Sequence, residues 1–94
     1  MSFYITRVEL HSATYQDYER LHTEMGQAGF SRTITDDKGV VYQMPTAEYT
    51  YTGSESVEVV RNAAKRAADA TGRTSIVLTA AVSTWASTGM QRAG

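Results

Sequence analysis

Four polar side chains within the first 32 residues have the chemistry needed to hold a phosphate group and to move a proton. Glu9 is a carboxylate, which can bind Mg²⁺ or act as a base, and His22 titrates near neutral pH, which suits a general base. Arg20 and Arg32 carry guanidinium groups, which match the geometry of phosphate oxygens. The sequence therefore predicts proton transfer by the glutamate or the histidine and phosphate binding by the arginines, with Mg²⁺ at the glutamate as the candidate cofactor.

The same side chains also have structural interpretations, and both interpretations stay open. A glutamate on a strand is commonly solvated, an arginine on a helix is commonly a surface charge, and a half-buried histidine commonly packs against its neighbours. Two further pairs have structural alternatives of the same kind: Asp36 and Asp37, which suit a turn, and Tyr49 and Tyr51, which would stack bases or fill a core or an interface.

Composition limits the chain to one small globular domain. It has 94 residues, of which 41% are hydrophobic, and a formal net charge of −1. A domain of this size buries roughly 60–65% of its unfolded surface, so its core is modest. The balanced charge predicts no non-specific binding to nucleic acid, so any nucleic-acid site must be a local patch of the surface.

The motifs that are missing exclude several kinds of function. The chain has no cysteine, which excludes disulfide-linked partners and thiolate catalysis and fits a reducing cytoplasm. No phosphate-binding loop, dinucleotide fingerprint, nucleophile elbow or metal-ligand cluster can be found in the sequence. No stretch approaches the roughly 20 apolar residues that span a membrane, so no membrane partner is predicted.

Hydrophobic periodicity predicts six elements around a central hairpin. Residues 3–10 alternate in the manner of a strand, and a helix follows, beginning after the N-cap Thr14 and ending at Gly29. Residues 29–51 then predict a strand, a turn, a second extended run over residues 40–44 that ends at Pro45, and another strand, which together form the central hairpin. A second helix and a last strand over residues 74–84 complete a βαββαβ order.

This order predicts an α+β, ferredoxin-like plait, in which one four-stranded antiparallel sheet carries two helices on one face. The domain is expected to cover residues 1–85, with residues 86–94 as a flexible C-terminal tail. The last strand is long enough to extend past the sheet, and one sheet face is left open. A homodimer is therefore predicted.

Several short motifs resemble the GhoS family. They are Val8-Glu9-Leu10, Phe30-Ser31, Asp37-Lys38-Gly39 and Gln43-Met44, and the resemblance is best over residues 4–51. Members of that family are small cytoplasmic ferredoxin-like antitoxins of type V toxin–antitoxin systems, similar in fold to the small CRISPR-adaptation nuclease subunit. They act as endoribonucleases on the messenger RNA of the toxin, so the resemblance implies RNA as a partner.

The resemblance also implies roles for individual residues. Glu9 stands where that family has an acidic residue at the end of the first strand, Arg20 matches a basic residue of the first helix, and His22 falls at a second basic position. The resulting expectation is a cytoplasmic, dimeric protein that binds RNA and cleaves it. Two alternatives remain open: a catalytically silent dimer that acts through protein–protein contacts, and a small-molecule sensor domain.

Overall fold

A computed structural model describes residues 1–93 of the chain. Five strands and two helices occur in the order β1 (Ser2–Leu10), α1 (Tyr15–Gln27), β2 (Thr33–Thr35), β3 (Val41–Gln43), β4 (Glu48–Gly53), α2 (Val57–Asp69) and β5 (Ser75–Ala81). With 13 residues each, the helices of this described part are too short to cross a membrane.

The strands form two antiparallel sheets, one with the order β4-β1-β5 and one made of β2 and β3. The α+β class, the two helices and the antiparallel pairing are confirmed. The prediction of one four-stranded sheet is wrong, and the ferredoxin-like plait is not confirmed. The difference is that the extended run predicted over residues 40–44 forms a strand of its own, β3, and pairs with β2 in a separate sheet.

The second sheet separates from the first directly after Ser31. Ser31 and Thr50 exchange two backbone hydrogen bonds, of 2.9 and 2.8 Å, and this bridge is where the chain touches the edge of β4. Two residues later the Thr50 hydroxyl donates to the Thr33 carbonyl at 2.7 Å, where a continuing ladder would have placed a backbone amide. From this point β2 pairs with β3 instead.

The turn between β2 and β3 is closed by a carboxylate. One oxygen of Asp36 accepts hydrogen bonds of 2.9 Å from the backbone amides of Lys38 and Val40. Gly39 adopts a φ of 82°, which glycine tolerates without strain. The structural interpretation of Asp36 therefore accounts for its position.

The core lies between the helices and the inner face of the three-stranded sheet. The alternation predicted for the first strand is confirmed, because its even-numbered residues from Tyr4 to Leu10 are buried. Helix α1 begins with a capping box between Thr14 and Asp17 and buries Leu21 and Met25. The other buried members of this core are Phe30, Tyr49, Val60, Ala64, Ala67 and Ala68.

Tyr15, Tyr18, Leu21 and Met25 recur at helical spacing, which predicts that all four are buried, but Tyr15 is 78% exposed. It is the first residue of α1, and side chains of a first turn lean toward the N-terminus of the helix, away from the rest of the buried stripe. The helical period alone does not show which residues at the start of a helix still contact the sheet.

One hydroxyl pair stands within the apolar inner face. Thr6 is fully buried, and its hydroxyl lies 2.8 Å from the hydroxyl of Thr79, its partner in the register of β1 and β5. Helix α2 packs over both strands through its alanines, so its backbone approaches the sheet closely. Small inner-face residues on β5, Val77 and Thr79, fit beneath it.

The outer face of the sheet is covered on one half only. A cavity of about 200 Å³ lies among side chains of β1, the hairpin and residues 85–90, including Ile5, Ile34 and Trp85. On β5, by contrast, Ile76 and Leu78 are 69% and 65% exposed. The last strand is also shorter than predicted, ending at Ala81.

Residues 91–93, at the end of the predicted tail, pair with β3. The amide of Gln43 donates to the carbonyl of Gln91 at 2.8 Å, and the amide of Ala93 donates to the carbonyl of Val41 at 2.9 Å. The flexibility of this segment stays a prediction, as do the domain limits. Gly94, its last residue, lies outside the described residues.

Replacing the buried hydroxyl of Thr6 tests this arrangement. In Thr6→Val the shape is kept but the Thr79 hydroxyl loses its partner, so we expect the free energy of unfolding in urea to fall by about 1–2 kcal/mol. The double variant Thr6→Val/Thr79→Val removes both polar groups and should recover most of that loss. If the stability lost in the double variant equals the sum of the losses in Thr6→Val and Thr79→Val, the two hydroxyls are not coupled.

Candidate functional site

A histidine of α1 and a tyrosine of β4 form a partly buried polar pair. The Nδ1 atom of His22 lies 2.6 Å from the hydroxyl oxygen of Tyr49. Tyr49 is fully buried and stands opposite Thr6 in the β1–β4 register, which puts its side chain on the helix-facing side of the sheet. The His22 side chain is 11% exposed, so one edge of the ring reaches solvent.

Burial controls the protonation of the tyrosine. Burial raises the pKa of Tyr49 to about 12, against a smaller lowering by the positive charge of Arg32. The hydroxyl therefore keeps its proton at every physiological pH. When Nδ1 carries the proton of the neutral ring, it donates to the hydroxyl oxygen of Tyr49, which fixes the ring and leaves Nε2 unprotonated.

Burial also favours the neutral form of the histidine. The pKa of His22 is lowered chiefly by burial and further by the charge of Arg32, while the carboxylate of Glu19 partly opposes both. Nε2 of His22 lies 3.9 Å from a carboxylate oxygen of Glu19. A neutral imidazole beside a carboxylate has the properties of a general base, because the imidazolium formed on accepting a proton is stabilised.

Arg32 brings a positive charge to the same place from another part of the chain. It follows Ser31, whose two hydrogen bonds to Thr50 anchor this segment on β4, and its own carbonyl accepts from the amide of Met44 at 2.8 Å. Its backbone is thus held on both sides while the residue is exposed. Its charge lowers the pKa of both His22 and Tyr49, so two of the predicted residues, Arg32 and His22, lie in one neighbourhood.

Arg20 is not part of this cluster. Its Nε donates to a carboxylate oxygen of Glu24 at 3.0 Å, one turn further along α1, and its side chain is 59% exposed. Two residues on a helix are about 200° apart around the axis, so Arg20 and His22 point in different directions. This placement matches that of a surface charge.

Glu9 lies on the opposite face of the sheet from the His22–Tyr49 pair. It stands beside Ile76 in the β1–β5 register and lines a cavity of about 310 Å³ together with His11, Ser12 and Thr74. Within residues 1–93, no three or more histidine, aspartate or glutamate side chains are close enough to share a metal ion. Mg²⁺ at Glu9 would need ligands from the substrate or from solvent, and this role stays a prediction.

Two contributors to the cluster were missed from the sequence. Glu19 was not among the candidate residues, although its spacing of three residues from His22 places the two side chains together. Tyr49 was considered for base stacking or the core, and its polar contact spans 27 positions, which no local pattern reveals. Tyr51 takes a structural part, since its hydroxyl donates to the Glu55 carboxylate at 2.6 Å.

These features define a small α+β protein with a histidine–tyrosine–arginine cluster suited to acid–base work on an anionic substrate. The model of the GhoS family, described as endoribonuclease GhoS, matches residues 1–88. The chain therefore belongs to the GhoS family, and the resemblance noted in its first half is confirmed over nearly the whole length. No curated protein matches the chain.

The lowered pKa of His22 predicts a pH dependence of stability. In the unfolded chain the ring binds a proton below pH of about 6.5, whereas in the folded protein it resists protonation until a lower pH. The unfolded state therefore binds more protons in this window, and the free energy of unfolding must fall as the pH drops below about 6.5.

The measurement is urea unfolding between pH 8 and pH 5. We expect His22→Gln to show a shallower decline than the unchanged protein, because it has no proton to take up on unfolding. His11→Gln, in the exposed loop after β1, is the matched control and should keep the original slope. Identical slopes for the unchanged protein and His22→Gln would contradict the assigned burial of the ring.

Proposed function

We propose that this protein is an endoribonuclease that cleaves RNA at the cluster of His22, Arg32 and Tyr49. The observation that carries the proposal is the 2.6 Å contact of His22 with a buried, protonated tyrosine, near an arginine whose backbone is anchored on β4. It leaves a neutral imidazole nitrogen at a solvent-accessible rim beside a positive charge. Membership of the GhoS family supports the same activity, with a messenger RNA as the substrate that the resemblance implies.

RNA supplies the nucleophile for this reaction. The 2′-hydroxyl attacks the adjacent phosphorus, the bond to the 5′-oxygen breaks, and the products are a 2′,3′-cyclic phosphate and a 5′-hydroxyl. The protein needs only to position the phosphate, accept the 2′-hydroxyl proton and stabilise the charge that grows on the phosphate oxygens.

Each residue of the cluster has one part in this scheme. Nε2 of His22 accepts the proton of the 2′-hydroxyl while Nδ1–H donates to the oxygen of Tyr49, which fixes the ring. Glu19 stabilises the resulting imidazolium, and Arg32 binds the non-bridging oxygens of the phosphate. The departing 5′-oxygen takes a proton from solvent, and the imidazolium returns its own proton to water.

Glu9 remains a competing proposal for the catalytic residue. It would work at the other face of the sheet, with Mg²⁺ held jointly by its carboxylate and the RNA phosphates. Arg20, on the solvent side of α1, would bind a phosphate at a distance from the cleaved bond. The two sites differ in location and in metal requirement, so one set of variants separates them.

The variants are assayed on a structured RNA with Mg²⁺ and with EDTA. We expect His22→Gln and Arg32→Ala to lower kcat/KM by about 10²–10³-fold, the range for losing a general base or a phosphate ligand. Arg20→Ala is the matched arginine control and Glu9→Gln the matched control on the opposite face, and both should stay within a few-fold of the unchanged protein. Loss of cleavage in Glu9→Gln together with Mg²⁺ dependence would move the site to Glu9.

The chemistry of the nucleophile gives a separate test. A substrate with a single 2′-deoxy nucleotide at the cleaved position lacks the attacking hydroxyl, so it should bind but resist cleavage there. Mass spectrometry of the normal products should find a 2′,3′-cyclic phosphate. Cleavage of the deoxy substrate at an undiminished rate would exclude attack by the 2′-hydroxyl.

A second candidate function is a catalytically silent protein that acts through protein–protein contacts. The exposed side chains of Ile76 and Leu78 favour it, because large apolar residues on a sheet face commonly mark a contact surface. Absence of cleavage by the folded, unchanged protein, with or without Mg²⁺, would favour this second function.

A further inference from the structure

One edge of the three-stranded sheet has none of the features that normally protect an edge strand. β5 has β1 on one side and no strand on the other within the described residues. Its seven residues, SIVLTAA, include no charge and no proline. Natural edge strands are usually protected by such residues, by bulges or by a covering segment, because an open edge invites another strand.

The hydrogen bonds at the two ends of β5 show which backbone groups face this open edge. The amide of Val82 donates to the carbonyl of Phe3, and the amide of His11 donates to the carbonyl of Thr74. In an antiparallel pair every second residue is bonded to the neighbour, so Ile76, Leu78 and Ala80 bond to β1. The alternate residues, from Ser75 to Ala81, therefore direct their amides and carbonyls to the open edge.

We propose that a second copy of this chain occupies the edge, with the two β5 strands antiparallel about a two-fold axis at Leu78. This register pairs all seven residues of the strand, from Ser75 with Ala81 to Leu78 with its own counterpart. The edge-facing residues become the hydrogen-bonded pairs, and Leu78 becomes a non-hydrogen-bonded pair, in which side chains are closest.

The side chains of β5 complement themselves in this register. On the outer face the large Ile76 lies beside the small Ala80 of the second copy, and the two Leu78 side chains contact each other across the axis. On the inner face Val77 lies beside Thr79. A strand with charged residues at these positions would desolvate them against Ile76 and Leu78, whereas a second copy brings no charge to the edge.

The assembly keeps the cleavage sites apart from the contact. The joined sheet has the order β4-β1-β5-β5-β1-β4, so Tyr49 of each copy lies on an outermost strand. Five strand spacings of about 4.8 Å separate the two outer strands by about 24 Å. A two-fold axis perpendicular to the sheet leaves all four helices on one face.

Cysteine cross-linking tests the register, because the chain has no cysteine of its own. In Leu78→Cys the two thiols face each other in a non-hydrogen-bonded pair, with Cα atoms about 4.5 Å apart, within the range that a disulfide spans. We expect this variant to form a covalent dimer on mild oxidation.

Ile76→Cys is the matched control, since Ile76 is as exposed as Leu78 but should lie four residues, about 13 Å, from its counterpart along the strand. It should stay monomeric on a denaturing gel, and adding Ala80→Cys should restore the cross-link. Equal cross-linking of Ile76→Cys and Leu78→Cys would overturn the register.

Sedimentation velocity tests the association itself. We expect the unchanged protein to sediment as a dimer and Leu78→Glu as a monomer, because two carboxylates would meet at the axis. Val59→Glu, at an exposed apolar position of α2, is the control and should remain dimeric. If the unchanged protein sediments as a monomer, the proposal is wrong. RNA cleavage by Leu78→Glu should equal that of the unchanged protein, because the His22–Tyr49 pair lies at β4, away from β5.

Discussion

The pair of hydrogen bonds between Ser31 and Thr50 determines how the rest of the molecule is arranged. It holds the chain to β4 for one residue pair and then releases it, so that β2 pairs with β3 instead of extending the main sheet. Arg32 follows the bridge directly, which keeps its charge beside His22 and Tyr49. The same departure carries the hairpin over the outer face of β1, where Ile5 and Ile34 line a shared cavity.

Burial and charge act together in the cluster of α1 and β4. A tyrosine alone on an apolar face would leave its hydroxyl unsatisfied, and a histidine alone at the rim would exchange its proton near neutral pH. Their hydrogen bond gives the hydroxyl oxygen a partner and fixes the ring, while Arg32 favours the neutral imidazole. A positive charge that helps bind an anionic substrate thus also keeps the neighbouring base unprotonated.

Local patterns were sufficient to predict much of this structure from the sequence. The alternation of β1, the Thr14 cap and the Asp36 turn all depend on residues within a few positions, and they were predicted correctly. The division into two sheets was not, because the Ser31–Thr50 bridge joins residues that are distant in the chain. For the site, residue type indicated His22 and Arg32. The hydrogen bond of His22 to Tyr49, the nearby charge of Arg32 and the separation of Glu9 depend on tertiary packing.

The larger apolar side chains of β5 lie on its outer face, and the smaller ones on the face that packs against α2. A shift of one residue against β1 would turn Ile76 and Leu78 inward and bury more hydrocarbon than Val77 and Thr79 do. The alanines of α2 leave little room for those larger groups, and the Thr6 hydroxyl would then lose its partner. The native register of β5 is thus selected by the space under α2 and by the Thr6–Thr79 pair, although the shifted register would bury more apolar surface. Chains with the shifted register are therefore an expected early folding error.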